Sequence, residues 1–263
     1  DGYAEALIAS SRYYDSYAQV IKLSDFSQLW SSAQSSDSGA MTTVLTADIN
    51  SDGHDDALYV SNGKIVINDL YSETLLHVID TGASYIYDVT VLDKNNAPSL
   101  IVASNQGLSL WSKDSHGTYL NVVSNSTLCK RIAAGKIGAS GNLQIACVDA
   151  EYYSSNEDRL ITFDANLNQQ DTFTLSGTVG DLNVVTFGDG TEKLFISQNV
   201  GDSYYRGAGT AVLGEFSTTG GGFIWTSSNL LGIVLKHSLH SYVDENAKVH
   251  MVFATDNAMY LSR

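Results

Sequence analysis

Oxygen-bearing side chains stand at alternate positions in the run Asp48-Ile49-Asn50-Ser51-Asp52-Gly53-His54-Asp55-Asp56. Asp48, Asn50 and Asp52 supply them, Gly53 follows, and Asp56 closes the run. A hard divalent cation such as calcium takes about six to eight oxygen ligands at roughly 2.3–2.6 Å, and alternation lets a short loop turn several of them inward. Gly53 permits the sharp, positive-φ turn that wraps backbone around an ion. His54 would offer its main-chain carbonyl rather than its ring. A helix-flanked calcium loop runs to about twelve residues and ends in glutamate, whereas Tyr59 stands at that place here. The metal-free alternative is an Asx-rich, solvated hairpin whose side chains bond to their own loop.

The elements that must hold such a loop are strands. After Asp56 the chain continues Ala57-Leu58-Tyr59-Val60, and runs of the same kind recur at 6–10, 57–61, 100–104, 144–148, 194–197 and 249–254. A period of roughly 40–55 residues made only of short strands is the signature of propeller blades. In the second unit a strand over 43–48 leads into the acidic loop and 57–61 follows it. Asn62-Gly63 then turns into 64–67, and 74–79 completes the unit. Asn-Gly is a strong hairpin signal because both central positions tolerate positive φ. Near-continuous apolar second strands are expected where both faces pack between neighbours. Trp30, Trp111 and Trp225, on third or outer strands, are expected to pack between blades rather than stack on a ligand.

The expectation is therefore an all-β chain, a single-domain β-propeller of four-stranded blades over 1–263, with about six units and the first and last incomplete. An open ring leaves aggregation-prone edges. The chain is accordingly expected to belong to a longer propeller of about six to eight blades, its missing strands lying upstream or coming from an associated polypeptide.

The loop from Asp48 to Asp56, with the apolar strand after it, resembles the FG-GAP and VCBS repeats of integrin α-subunit propellers and of many bacterial surface and secreted proteins. Those repeats carry D-x-[DN]-x-D-G-x-x-D between the first two strands of a blade. The resemblance implies that Asp48, Asn50, Asp52, the His54 carbonyl and Asp56 bind calcium. Asp1-Gly2-Tyr3-Ala4-Glu5 reads as the second half of another such loop. Later units have lost theirs: Asp93-Lys94-Asn95 runs into Ala97-Pro98, 137–141 has no acid, and Asp189-Gly190 lacks the earlier ligands.

With 14 basic and 29 acidic residues the net charge is −15, which argues against nucleic acid and anionic membrane surfaces as partners. No stretch approaches the ~20 apolar residues of a membrane-spanning helix. The mix of 22 Gly, 15 Tyr and a single Pro favours strands and turns. Cys129 and Cys147 sit on neighbouring apparent strands that flank a turn near 138–140, which would bring them opposite or nearly opposite. They would bond in an oxidising compartment and stay reduced in cytosol.

Catalytic signatures are missing. There is no nucleophile elbow, no HExxH and no glycine-rich phosphate loop opening a helix. His54, His77, His116, His237, His240 and His250 are scattered. A polysaccharide lyase or hydrolase with its acid and base on separate loops remains the alternative function.

Length variation concentrates between the second and third strands. Asn62-Gly63, Asn105-Gln106 and 255–257 are short, whereas 11–17, 151–158 and 202–207 are long and contain Tyr13-Tyr14, Tyr152-Tyr153 and Tyr204-Tyr205-Arg206. Asp15, Asn156, Asp158 and Asp202 accompany them. Tyrosine with Ser, Asn and Gly gives aromatic area at low entropy cost beside adaptable hydrogen bonding, a composition suited to recognition. Packing of each loop on its own blade is the plainer alternative. The functional expectation is a calcium-stabilised, non-enzymatic propeller of an exported, cell-surface or periplasmic protein, acting in adhesion, matrix or protein and glycan recognition.

Overall fold

The computed structural model of the chain describes residues 5–12, 15–22, 24–32, 43–94, 97–149, 158–200, 210–234, 238–243, 248–256 and 258–261. Alternating and continuous apolar runs become strands, and the only helical turn among the described residues is Ala139–Gly141. The chain divides into two compact units, Asp1–Ser126 and Thr127–Arg263.

The first unit holds three antiparallel sheets. Sheet 1 is β1 (Glu5–Arg12), β2 (Asp15–Lys22) and β3 (Gln28–Ser31). Sheet 2 is β4 (Val44–Ala47), β5 (Asp56–Ser61), β6 (Lys64–Asp69) and β7 (Thr74–Asp80). Sheet 3 is β8 (Ile86–Lys94), β9 (Ala97–Ser104), β10 (Gly107–Lys113) and β11 (Tyr119–Asn125). The second unit repeats the plan. Sheet 4 is β12 (Arg131–Gly135), β13 (Gln144–Val148), β14 (Arg159–Asp164) and β15 (Gln169–Thr174). Sheet 5 is β16 (Thr178–Thr186), β17 (Glu192–Val200), β18 (Thr210–Ser217), β19 (Gly222–Thr226) and β20 (Leu230–Leu231). Sheet 6 is β21 (His240–Val243), β22 (Val249–Ala254) and β23 (Met259–Leu261). Every sheet is an up-and-down meander in which sequence neighbours pair, apart from the added β20.

Second strands form the core, as their apolar runs require. Residues 56–60 of β5 are all buried, and so are 99–104 of β9. Between sheets 2 and 3, Leu58, Val60, Ile65 and Ile67 meet Val89, Leu100, Val102 and Trp111. Ala133, Val148 and Leu160 of sheet 4 meet Leu182, Ile196 and Phe216 of sheet 5. Burying such faces removes apolar area from water at about 25 cal/mol per Å², the main source of stability here. The Asn62-Gly63 hairpin has φ of 52° and 70°, the paired positive values of a type I′ turn.

Four expectations need correction. The first tyrosine-bearing connection is not long: β1 and β2 pair through Arg12 and Asp15, leaving only positions 13 and 14 between them. The two strands simply continue their ladder through 11–12 and 15–17. Trp111 packs between sheets, and Trp30 lies 6.4 Å from the Tyr59 ring of the next sheet, but Trp225 on β19 is 48% exposed. Cys129 precedes β12 rather than lying in it, with Ile132 the residue opposite Cys147. The disulfide forms nonetheless, with Cα atoms 5.5 Å apart. Asp158 is not a loop-tip acid: it is buried, and its Oδ2 accepts the Val179 amide at 2.6 Å.

Candidate functional site

The acidic loop bridges β4 and β5. Ile49 is fully buried and pins the loop to the core between sheets 2 and 3, so the polar residues around it are held at a fixed height above the sheet. Positive φ at Ser51 (65°) and Gly53 (89°) folds the chain back on itself. Asp48 then accepts the amides of Asp52 (3.1 Å) and Gly53 (3.0 Å). Asn50 Oδ1 accepts the Asp52 amide at 2.9 Å, and Asn50 Nδ2 donates to Asp52 Oδ2 at 3.0 Å. Asp52 Oδ1 accepts the His54 amide at 2.9 Å.

Asp56 opens β5 and is 1% exposed. Its Oδ2 takes the amides of Ile49 (2.8 Å) and Asn50 (3.2 Å). Burial raises its carboxyl above the usual carboxylate range, and the charges of Asp69 and Asp52 add to this against the pull of the two amides. Lys113 of β10 reaches beneath the loop and donates to the Ile49 carbonyl at 3.0 Å, its ammonium 5.5 Å from the centre of the Tyr119 ring. Burial lowers the Lys113 ammonium, partly offset by Asp56.

Asp48, Asn50, Asp52, His54 and Asp56 thus share the β4–β5 loop. Their chemistry suits a hard cation: three carboxylates, one amide oxygen and main-chain carbonyls, with one buried carboxylate crowded by like charge. In the described geometry the carboxylates close onto loop amides rather than onto a common centre. Among the described residues no group of three or more His, Cys, Asp or Glu side chains stands together as a metal cage. An oxygen that accepts one amide still has a lone pair for a cation, so the donor set fits calcium even though the side chains now serve as loop caps.

Tyr13, Tyr14, Tyr152, Tyr153, Tyr204, Tyr205 and Arg206 lie outside the described residues. What the structure gives is the frame of two of their connections. Asp149 and Arg159 close the base of one: the Arg159 amide and Nε donate to Asp149 at 2.9 and 2.6 Å, and its guanidinium pairs with the same carboxylate. The other runs from Val200 to Thr210, which pair directly across β17 and β18.

No protein-family model matches the chain, and no curated protein matches it. Solved structures do. The chain is similar to BBS1N in complex with ARL6DN, with a TM-score of 0.63 and 10% identity over 99% of this chain and 76% of that one. It is similar to Saccharomyces cerevisiae Sqt1 at a TM-score of 0.59 and 13% identity, covering 97% of this chain and 67% of that one. The Dos1 propeller matches at 0.57 and 13%, over 99% of this chain and 65% of the other.

The fold is a β-propeller. At such identities the likeness carries the fold alone, and the resemblance to FG-GAP and VCBS repeats rests on the acidic loop. Among the described residues no helix is long and apolar enough to cross a membrane.

Proposed function

We propose that this propeller is a non-enzymatic recognition module of an exported or cell-surface protein, with calcium holding the Asp48–Asp56 loop and a protein or glycan ligand bound by the tyrosine-bearing connections. One observation supports the metal above all: a buried carboxylate, Asp56, closes the loop in the field of the Asp69 and Asp52 charges, an arrangement that a divalent cation would relieve. Asp48, Asn50, Asp52, the His54 carbonyl and Asp56 would hold the ion, which would act as a staple for the β4–β5 connection. Protein binding is supported by the company the fold keeps, since BBS1N is in complex with a protein, ARL6DN.

A metal that binds only the folded chain stabilises it by about 2.7 kcal/mol at a hundredfold excess over its dissociation constant. Calcium added to chelated protein should therefore raise the melting temperature, and Asp52→Ala should abolish the rise. An identical melting curve in EDTA and in calcium removes the metal from the proposal. Deleting 203–206 should leave the fold intact and abolish ligand capture on a glycan array or by a pure protein candidate. Release of reducing sugar from a polysaccharide would instead establish the catalytic alternative.

A further inference from the structure

The ligand pattern of the acidic loop leaves one carboxylate out. Asp55 alternates away from the loop centre, is exposed, and makes no hydrogen bond or ion pair among the described residues. It faces a cleft of about 310 Å³ between sheets 1 and 2, floored by Leu7 and Val20, a directly opposed cross-strand pair, and by Leu70. His54 and Tyr71 form one wall, their rings stacked at 4.4 Å with only 2° between planes. Tyr71 is held out by its turn: Asp69 accepts the amides of Tyr71 (2.7 Å) and Ser72 (2.9 Å) and the Ser72 hydroxyl at 2.6 Å. The ring remains 74% exposed. Thr46 borders the same space.

An apolar floor, a flat aromatic wall and an unpaired carboxylate at the rim match the aliphatic stem, planar face and charge of one side chain. We propose that this cleft takes an arginine side chain presented by an extended segment of a partner protein. Among the described residues no lysine or arginine lines the cleft, and the Asp69 carboxylate interacts electrostatically with His54 in its wall, so the local field favours a cation. The Ser72 hydroxyl holds the Asp69 carboxyl below the usual range, which keeps that charge in place. A neutral sugar could stack on Tyr71 but would leave Asp55 without a counter-charge. Guanidinium answers both. The proposal rests on the protein-binding reading and not on calcium, because Asp55 is outside the metal's donor set.

The test uses the full chain and the tripeptide Ac-Gly-Arg-Gly-NH2, followed by amide chemical shifts. Saturable shifts at His54, Asp55 and Tyr71 are expected, with binding weakened about tenfold or more in Asp55→Asn and about two- to fivefold in Tyr71→Ala. The citrulline tripeptide, tested on the unaltered chain, should bind at least as weakly as the arginine peptide binds Asp55→Asn. Equal shifts from the citrulline peptide or from methyl glucoside overturn the proposal, as does unchanged binding in Asp55→Asn. Deletion of 203–206 should not alter these shifts, so failure here and failure of recognition through the tyrosine-bearing connections are read separately.

Discussion

Asp56 does two jobs that pull in opposite directions. Its oxygen caps the Ile49 and Asn50 amides, while its charge sits buried among like charges. With the folded carboxyl raised, the folded chain holds that proton more tightly than the unfolded chain does. The resulting stability is present below the unfolded carboxylate value and is lost as pH rises through the raised folded value. Without metal, then, ionised Asp56 should weaken the fold at neutral pH. Asp56→Asn keeps an acceptor and drops the charge. In EDTA its melting temperature should equal or exceed the parent's at neutral pH, and the difference should shrink below about pH 4. In calcium the order should reverse, because the variant loses a charged ligand. Calorimetry at both pH values, with and without calcium, checks this; a variant less stable than the parent in EDTA at neutral pH would show that the charge stabilises. The loop was legible because alternation and Gly53 declare it. Asp55 was not, since nothing in a sequence says that Leu7 and Val20 of another sheet lie opposite it.

At the scale of strands, what could be read was set by where the chemistry is local. The Asn62-Gly63 turn, the apolar second strands and the four-strand rhythm each depend on a few adjacent residues, and the structure shows them where the pattern places them. The misplaced features depend on pairing. Whether 11–17 is loop or ladder is decided by β2, and Leu230–Leu231 becomes β20 because β18 extends past β19 and leaves Thr210 and Ala211 to be paired. The disulfide belongs to this scale too. It joins the residue two before β12 to the penultimate residue of β13 across 18 positions, a loop whose closure is worth about 3 kcal/mol in the chain-entropy account. Reduction should lower unfolding stability by roughly that amount, and hydrogen exchange should quicken first in β12 and β13. Exchange that quickens evenly in all six sheets would argue against a local clasp.

At the scale of the whole molecule, the sheets of each unit are tied by polar groups that the sequence reading passed over. In the first unit Asp88, just past a register shift in β8, accepts its neighbour's Val89 amide at 2.8 Å and the Thr43 hydroxyl of sheet 2 at 3.3 Å. In the second, Asp181 follows the equivalent shift in β16, accepts the Leu182 amide at 3.0 Å and takes the Leu239 amide of sheet 6 at 2.9 Å. Arg131 of sheet 4 donates to the Gly180 carbonyl at 3.4 Å and lies in the field of the same carboxylate. Burial pushes the Asp181 carboxyl up, while the Leu239 amide and Arg131 pull it down. The signal existed: Thr43, Asp88, Arg131 and Asp181 each precede the first strand's apolar run, once in each of sheets 2 to 5. Anchoring the repeat on second strands hid it. Removing one partner of such a buried set leaves the others unpaired, which costs about 3–5 kcal/mol, whereas replacing both charges with apolar groups is often neutral. Asp181→Ala should therefore lower the free energy of unfolding by that amount in urea, while the double variant Asp181→Leu with Arg131→Met should recover only the share due to the stranded Arg131 charge, because the Leu182 and Leu239 amides still lack their acceptor. If Asp181→Ala loses under about 1 kcal/mol, the value of an exposed pair, then apolar packing alone binds sheets 4, 5 and 6 to one another.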